Sequence, residues 1–280
     1  MAVIGIMVLF GSAYPAGKLG INHFPPFLFS TLRSTLLAII LLPFWKLRLP
    51  PRDLALPLAG FCGCMGVGVY ATMYAALGMS TSVSPIIIGS QLSIPFAVLL
   101  GWLMLKEQVP IAIWMAILLG FAGIVVIAYE PRLLADLPAL GWVVVSALFY
   151  ALATILARQL REMSPYMLNG WMALTAVLPL FGLSLFFESD QMVAISSTSL
   201  PHWLTLIHSA VAVSFIAHVG MFSLYRHYEV AQIFPFYALT PVFGILLTII
   251  AFPEIPSAQT LFGGAMVIAA SYSIGRRKSA

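Results

Sequence analysis

Long apolar runs alternate with short breaks rich in proline and charge along the whole of this chain. Each run approaches the roughly 20 residues that a helix needs to cross a hydrocarbon core. Their spacing predicts ten spans, near 2–20, 27–45, 54–77, 83–105, 110–129, 139–158, 165–187, 203–225, 230–252 and 257–275. Breaks such as Phe24-Pro25-Pro26, Leu49-Pro50-Pro51-Arg52-Asp53 and Phe252-Pro253-Glu254-Ile255-Pro256 stop the helices, because proline lacks a backbone donor and crowds the preceding turn. The expected fold is all-α: a polytopic bundle whose loops are too short to house a soluble domain.

The order of features repeats once. Ser93-Ile94-Pro95-Phe96, leading to Glu107 and Pro110, matches Leu239-Thr240-Pro241-Val242-Phe243, leading to Glu254 and Pro256. Pro26-Phe27-Leu28-Phe29 likewise matches Pro165-Tyr166-Met167-Leu168. The chain therefore divides into two five-span repeats, 1–132 and 133–280. Five is odd, so the second repeat is expected to enter the membrane in the opposite sense, about a pseudo-two-fold axis in its plane. Two gates around one central site follow from that symmetry and point to transport, although duplicated bundles also serve as channels and scaffolds.

Composition agrees with the pattern: 61% of residues are hydrophobic and 8% charged, against about a quarter charged in soluble domains. Lipid is the solvent for most of this surface. The net charge of +4 does not indicate a nucleic-acid partner, because the basic residues are scattered through loops and the C-terminal tail. With a cytoplasmic N-terminus, Lys46, Arg48, Arg52, Lys106, Arg158, Arg161, Arg226, Arg276, Arg277 and Lys278 all fall inside and Arg132 alone outside. That asymmetry predicts cytoplasmic N- and C-termini. The first run has no small-residue cleavage site and reads as a span, not a signal peptide. Cys62 and Cys64, two residues apart in one helix, imply neither a metal nor a disulfide; Gly60, Cys64 and Gly68 follow a close-packing spacing.

All nine carboxylates lie in loops or at span ends, so carboxylate-based proton or sodium coupling lacks its usual equipment. No paired buried aspartates and no H-E-x-x-H motif occur, so no catalytic residue, metal or cofactor is expected. His218 lies deep in the eighth span with Ser214 and Phe222 on the same face; it reads equally as a buried neutral imidazole or as a substrate contact or proton relay. Lys18 and Arg33 either snorkel to the interface or form an outer vestibule that attracts a substrate carboxylate. Tyr70 and Tyr74, one turn apart, offer an aromatic face, joined as candidates by Tyr14, Tyr150, Trp171, Phe222, Phe236 and Tyr237, with core packing the competing role for each. Trp45, Trp142 and Trp203, near span ends, read as interfacial anchors. Pro85 and Pro95 in the fourth span, and Pro235 and Pro241 in the ninth, are expected to break helices and free carbonyls beside Ser90, Gln91, Ser93 and Thr240. These breaks mark the expected centre of the permeation path.

With Phe10-Gly11-Ser12-Ala13-Tyr14-Pro15-Ala16-Gly17-Lys18 in the first span, Arg33 with Leu42-Pro43 in the second, and apolar runs from Pro95 to Glu107 and Pro241 to Glu254, the chain resembles the drug/metabolite transporter superfamily and its ten-span EamA-type members over nearly its whole length. It departs from the pattern where Pro253 and Lys106 stand in place of a glycine before the glutamates. The resemblance implies a multi-pass carrier of the inner membrane that exports small metabolites by alternating access. The aromatic lining is similar to that of exporters of aromatic and other hydrophobic amino acids. The expected partners are a small-molecule substrate, an amino acid or similar metabolite, and membrane lipid. A multidrug exporter is the nearer alternative; an intramembrane enzyme using His218 with Ser214 is the remote one.

Overall fold

The computed structural model describes residues 2–45, 49–50, 52–225 and 236–275; within these, the side chains of Trp45, Arg132, Phe222 and Tyr225 are left aside. Helices α1 (Ala2–Ile21), α2 (Pro26–Trp45), α3 (Arg52–Met79), α4 (Ser84–Leu105), α5 (Ile111–Ala128), α6 (Leu137–Gln159), α7 (Pro165–Phe187), α8 (200–225), α9 (Leu239–Ala251) and α10 (Ala258–Gly275) form an all-helical bundle. Eight described helices are long and apolar enough to span a bilayer, and α9 is a shorter apolar one. In α10, 18 residues long, glycine, serine and threonine dilute the apolar character. The predicted start of the ninth span, Pro235, and Lys46, Arg48, Arg226, Arg276, Arg277 and Lys278 lie outside the described residues. A short helix, Gln191–Ser196, in the connection between α7 and α8 is not foreshadowed by the apolar pattern.

The surface is apolar where a soluble protein would be polar. Leu178, Phe186 and Ile250 are 79%, 87% and 81% exposed, which is stable only against lipid. Packing between helices therefore relies on close contact at small residues. A Cβ on Gly123 would stand 2.6 Å from the Gly263 carbonyl, and one on Gly263 would stand 2.6 Å from the Gly123 carbonyl, so α5 and α10 cross backbone to backbone. Similarly, a Cβ on Gly11 would lie 2.7 Å from the Gly244 nitrogen. Pro15, inside α1, leaves the Gly11 carbonyl without its helical donor, and that oxygen faces Gly244 across the crossing with α9. Gly60 and Gly68 receive Leu156 and Phe149 of α6, as their spacing predicts. Both cysteines are free thiols.

The pairing of helices is unchanged when the halves are exchanged. α2 packs on α7 and α5 on α10, each against its own counterpart. α1 packs on α9 as α6 packs on α4, and α3 packs on α6 as α8 packs on α1. Local distortions follow the same rule. In α3 the stretch Cys62–Val69 is wound as a π-helix, and in α8 His208–Ala217 is too, both starting at corresponding positions. In α4 the turn before Pro95 places Leu92 at φ −60, ψ −15, and the turn before Pro241 places Ala238 at φ −62, ψ −17. Such interruptions are tolerated at membrane depth when protein side chains satisfy the freed groups.

Candidate substrate site

Arg33 is the largest fully buried side chain, 1% exposed. It is the eighth residue of α2, about 10 Å along the helix from Pro26 at 1.5 Å per residue. It does not snorkel and lines no outer vestibule, because its head turns inward among polar groups: its guanidinium donates to the Ser214 hydroxyl of α8 and, at 3.4 Å, to Ser34. Its Cζ lies 3.5 Å from the centre of the Tyr70 ring, a cation–π contact strengthened by the absence of water. Tyr70 and Tyr74 stack at 6.4 Å between ring centres. Tyr74 also packs edge-on against Phe29 at 5.1 Å and fills the space left by Gly17. Both halves thus contribute to one buried polar centre.

The π-helical stretch of α8 supplies the second half's share. A wider turn removes carbonyls from the regular ladder, and side chains take them up: Ser214 donates to the Ser209 carbonyl at 2.8 Å, and His218 Nδ1 lies 3.0 Å from the Val213 carbonyl. A carbonyl can only accept, so Nδ1 of His218 carries the proton and Nε2 is left as an acceptor. The imidazole meets the edge of Phe10 at 4.9 Å, and Phe10 stacks at 6.3 Å on Tyr237. Sequence reasoning missed His208, whose Nε2 is 2.8 Å from the Ser12 hydroxyl, which itself donates to the Leu9 carbonyl. The signal was present: it is a second histidine in the same apolar span, flanked by Ser209.

On the α4 side, Tyr14 donates to Ser90 at 2.7 Å, and Ser90 donates to the Ile87 carbonyl. Gln91 is buried at the turn. The prolines act differently from expectation. Pro85 sits in the first turn of its helix, where no helical bond is due, so it breaks nothing. The carbonyl that Pro95 leaves without its usual donor, that of Gln91, accepts instead from Ile94 at 3.1 Å, through a tight i to i−3 turn. It is not a free carbonyl. Pro241, likewise in the first turn of α9, is buried at the end of the matching break. Trp171 lines a groove of α3 and α7 with Cys62, Gly63, Val67, Thr175 and Pro179 and packs against the same apolar cluster as Tyr70. The side chain of Phe222 lies outside the described residues.

Lys18 is tied down as well, its ammonium donating to the carbonyls of Leu77 and Ser80, each at 2.7 Å, at the end of α3. This marks the end of the bundle where carboxylates hold neighbouring segments together. Glu188 accepts from the backbone N–H groups of Phe27 (2.6 Å) and Leu28 (3.0 Å) at the start of α2. Glu254 accepts from Ser82 Oγ (2.7 Å), Val83 N (2.8 Å) and Ser84 N (3.0 Å) at the start of α4. Asp136 accepts from Ser80 and Thr81, and Glu130 from Ser257 and Thr260. Anionic groups at helix starts meet unpaired N–H donors and the positive end of the helix dipole. Beneath them lies an apolar plug that includes Phe24, Phe29, Leu77, Val83, Ile86 and Leu206. At the other end, the one ion pair among the described residues, Arg158 to Glu107 at 2.7 Å, is exposed.

Among the described residues, no group of three His, Cys, Asp or Glu side chains converges as a metal site requires. A lipid-facing bundle with a buried polar centre drawn from both halves is the architecture of a membrane transporter. The chain belongs to the EamA-like transporter family, whose model matches residues 1–129 and again 137–276. It is 23% identical to a protein of Salmonella typhimurium named "Probable amino-acid metabolite efflux pump", over 95% of this chain and 91% of that one. An uncharacterized transporter of Archaeoglobus fulgidus is 26% identical, covering 99% of this chain and 98% of its own length. A solved crystal structure with 17% identity superposes with a TM-score of 0.67 over 97% of this chain and 94% of its own, a likeness of fold.

Proposed function

We propose that this protein exports small metabolites, in first place aromatic and hydrophobic amino acids, by rocking two inverted five-helix halves around the centre at Arg33. The observation that carries the reading is that centre itself: buried Arg33 of the first half meets buried Ser214 of the second, with the partly buried Tyr70 ring against the guanidinium. Tyr14, Tyr70, Tyr74 and Phe10 give it stacking faces. The name of the Salmonella relative supports an amino-acid metabolite as cargo. The loop-charge asymmetry favours the carboxylate-rich end as the outer one, and on that reading this conformer is closed to the exterior, held by Glu188, Glu254, Asp136 and the apolar cluster of Phe24 and Phe29. Opening there, together with closure at the end of Arg158 and Glu107, completes the cycle. Because no carboxylate lies in the site, transport runs as uniport, without obligatory proton exchange.

A binding screen of purified protein against amino acids, nucleosides and lipophilic cations tests the reading. Aromatic amino acids are expected to bind and to compete with one another; binding of cations with no competition from any amino acid would make this a multidrug exporter instead. Tyr74→Ala is expected to lower preference for aromatic over aliphatic amino acids, while Trp171→Ala, in the groove of α3 and α7, leaves preference unchanged.

A further inference from the structure

An unpaired charge is costly to bury, and Arg33 is buried with no carboxylate paired to it among the described residues. Its neighbours satisfy it in part. Ser214 and Ser34 accept from its terminal nitrogens, and the Tyr70 ring covers one face. Its Nε, however, has no hydrogen-bond partner, and neither does the Tyr70 hydroxyl at the rim of the ring it covers. Two buried, unpartnered donors, one of them on a charged group, thus belong to side chains in direct contact. Other basic groups of this molecule have stronger acceptors: the half-buried Lys18 has two carbonyls, and the exposed Arg158 has Glu107. Arg33 alone of these lacks an anionic or carbonyl acceptor in the described contacts.

From this we infer that Arg33, with the Tyr70 hydroxyl, is the anchor for a substrate carboxylate. The proposal rests on the export reading and deepens it by fixing the substrate class: an organic monocarboxylate, whose two oxygens match the fork of the guanidinium and take the tyrosine proton as a third bond. In the empty state Arg33 rests on Ser214 and the Tyr70 face. On binding, it exchanges the neutral hydroxyl for the carboxylate, so that charge is neutralised inside the protein before the halves move. Because Ser214 belongs to α8 and Arg33 to α2, that exchange also releases a bond joining the halves. A single positive charge suits one carboxylate and not a phosphate dianion.

The test uses the purified full-length protein and three probes of matched shape: phenylalanine, 3-phenylpropionate, which keeps only the carboxylate, and phenethylamine, which keeps only the amine. Binding is read directly and as the rise in melting temperature. Wild type is expected to bind phenylalanine and 3-phenylpropionate, with phenethylamine at least tenfold weaker. In Arg33→Gln the two carboxylates should lose at least tenfold in affinity and the amine less than twofold, while the empty protein melts no lower than wild type because an uncompensated charge has been removed. Tyr70→Phe, which keeps the ring, should weaken the carboxylates threefold or more. Phenethylamine binding as tightly as phenylalanine, no carboxylate binding at all, or an Arg33→Gln protein that still prefers carboxylates overturns the anchor. If leucine binds as well as phenylalanine and both depend on Arg33, the anchor stands and the aromatic preference falls.

Discussion

Replacing Glu254 with glutamine weakens the closure at the carboxylate-rich end without touching the central site. The carboxylate takes three hydrogen bonds, from Ser82 Oγ, Val83 N and Ser84 N, at 2.7, 2.8 and 3.0 Å. A hydrogen bond to a charged group contributes about 1.5–3 kcal/mol and a neutral one about 0.5–1.5 kcal/mol, so removing the charge costs about 1 kcal/mol per bond. Loss of the interaction with the helix dipole adds about 0.5 kcal/mol. Allowing for relaxation, about 2–3 kcal/mol is lost from this conformer alone, since the opposite conformer has these segments apart. At about 1.4 kcal/mol per tenfold, the population open at this end should rise roughly 30-fold to 150-fold. Ser90→Cys, in a background with Cys62→Ser and Cys64→Ser, provides the probe. Its labelling by a membrane-impermeant maleimide applied at the carboxylate-rich face should accelerate at least tenfold in Glu254→Gln. A rate within twofold of the parent, with the melting temperature unchanged, would refute the assignment of Glu254 as a latch.

The remaining predictions concern packing and charge. Gly123→Leu should lower the melting temperature in detergent by an amount equivalent to roughly 2–3 kcal/mol, because even its Cβ would stand 2.6 Å from the Gly263 carbonyl, whereas Gly141→Ala, with open space around it, should change nothing. Arg158→Ala removes an exposed ion pair and should cost less than about 1 kcal/mol, visible as a melting shift of only a degree or two. His208→Ala removes the contact to Ser12 between α1 and α8 and should alter transport rate more than substrate affinity, measured as initial rates over a substrate series.

Much of the fold was legible because lipid imposes a one-dimensional rule: an apolar run of given length must be a helix, and prolines between runs end it. Span limits fell within a few residues of the described helices, as for α7, predicted and found at 165–187, except at the start of the ninth span, where 230–235 lie outside the described residues and the helix begins at Leu239. The π-helical stretches were not legible, since a wider turn follows from three-dimensional contacts of residues such as Gly66, set against the Met172 carbonyl, and not from local propensity. Tyr70, Tyr74, Ser90 and His218 were singled out by mid-span placement; in the structure Tyr70 stacks on Tyr74 and lies against Arg33, Ser90 accepts from Tyr14, and His218 meets Phe10. The direction of the Arg33 side chain was not legible, because depth along a helix does not reveal whether a long side chain turns toward the interface or toward a serine of a helix 181 residues away in sequence. The roles of Pro85 and Pro95 were overestimated for a related reason: a proline frees a carbonyl only if no other donor reaches it, and Ile94 reaches that of Gln91.

The central claim is that both halves surround one carboxylate-binding centre and carry its ligand across by alternating access. Counterflow in proteoliposomes tests it most directly: vesicles loaded with unlabelled phenylalanine and diluted into labelled phenylalanine, with no proton gradient and a protonophore present. Transient accumulation of label in wild type, abolished in Arg33→Gln, is the predicted result; no accumulation, or accumulation only when a proton gradient is imposed, would contradict the account.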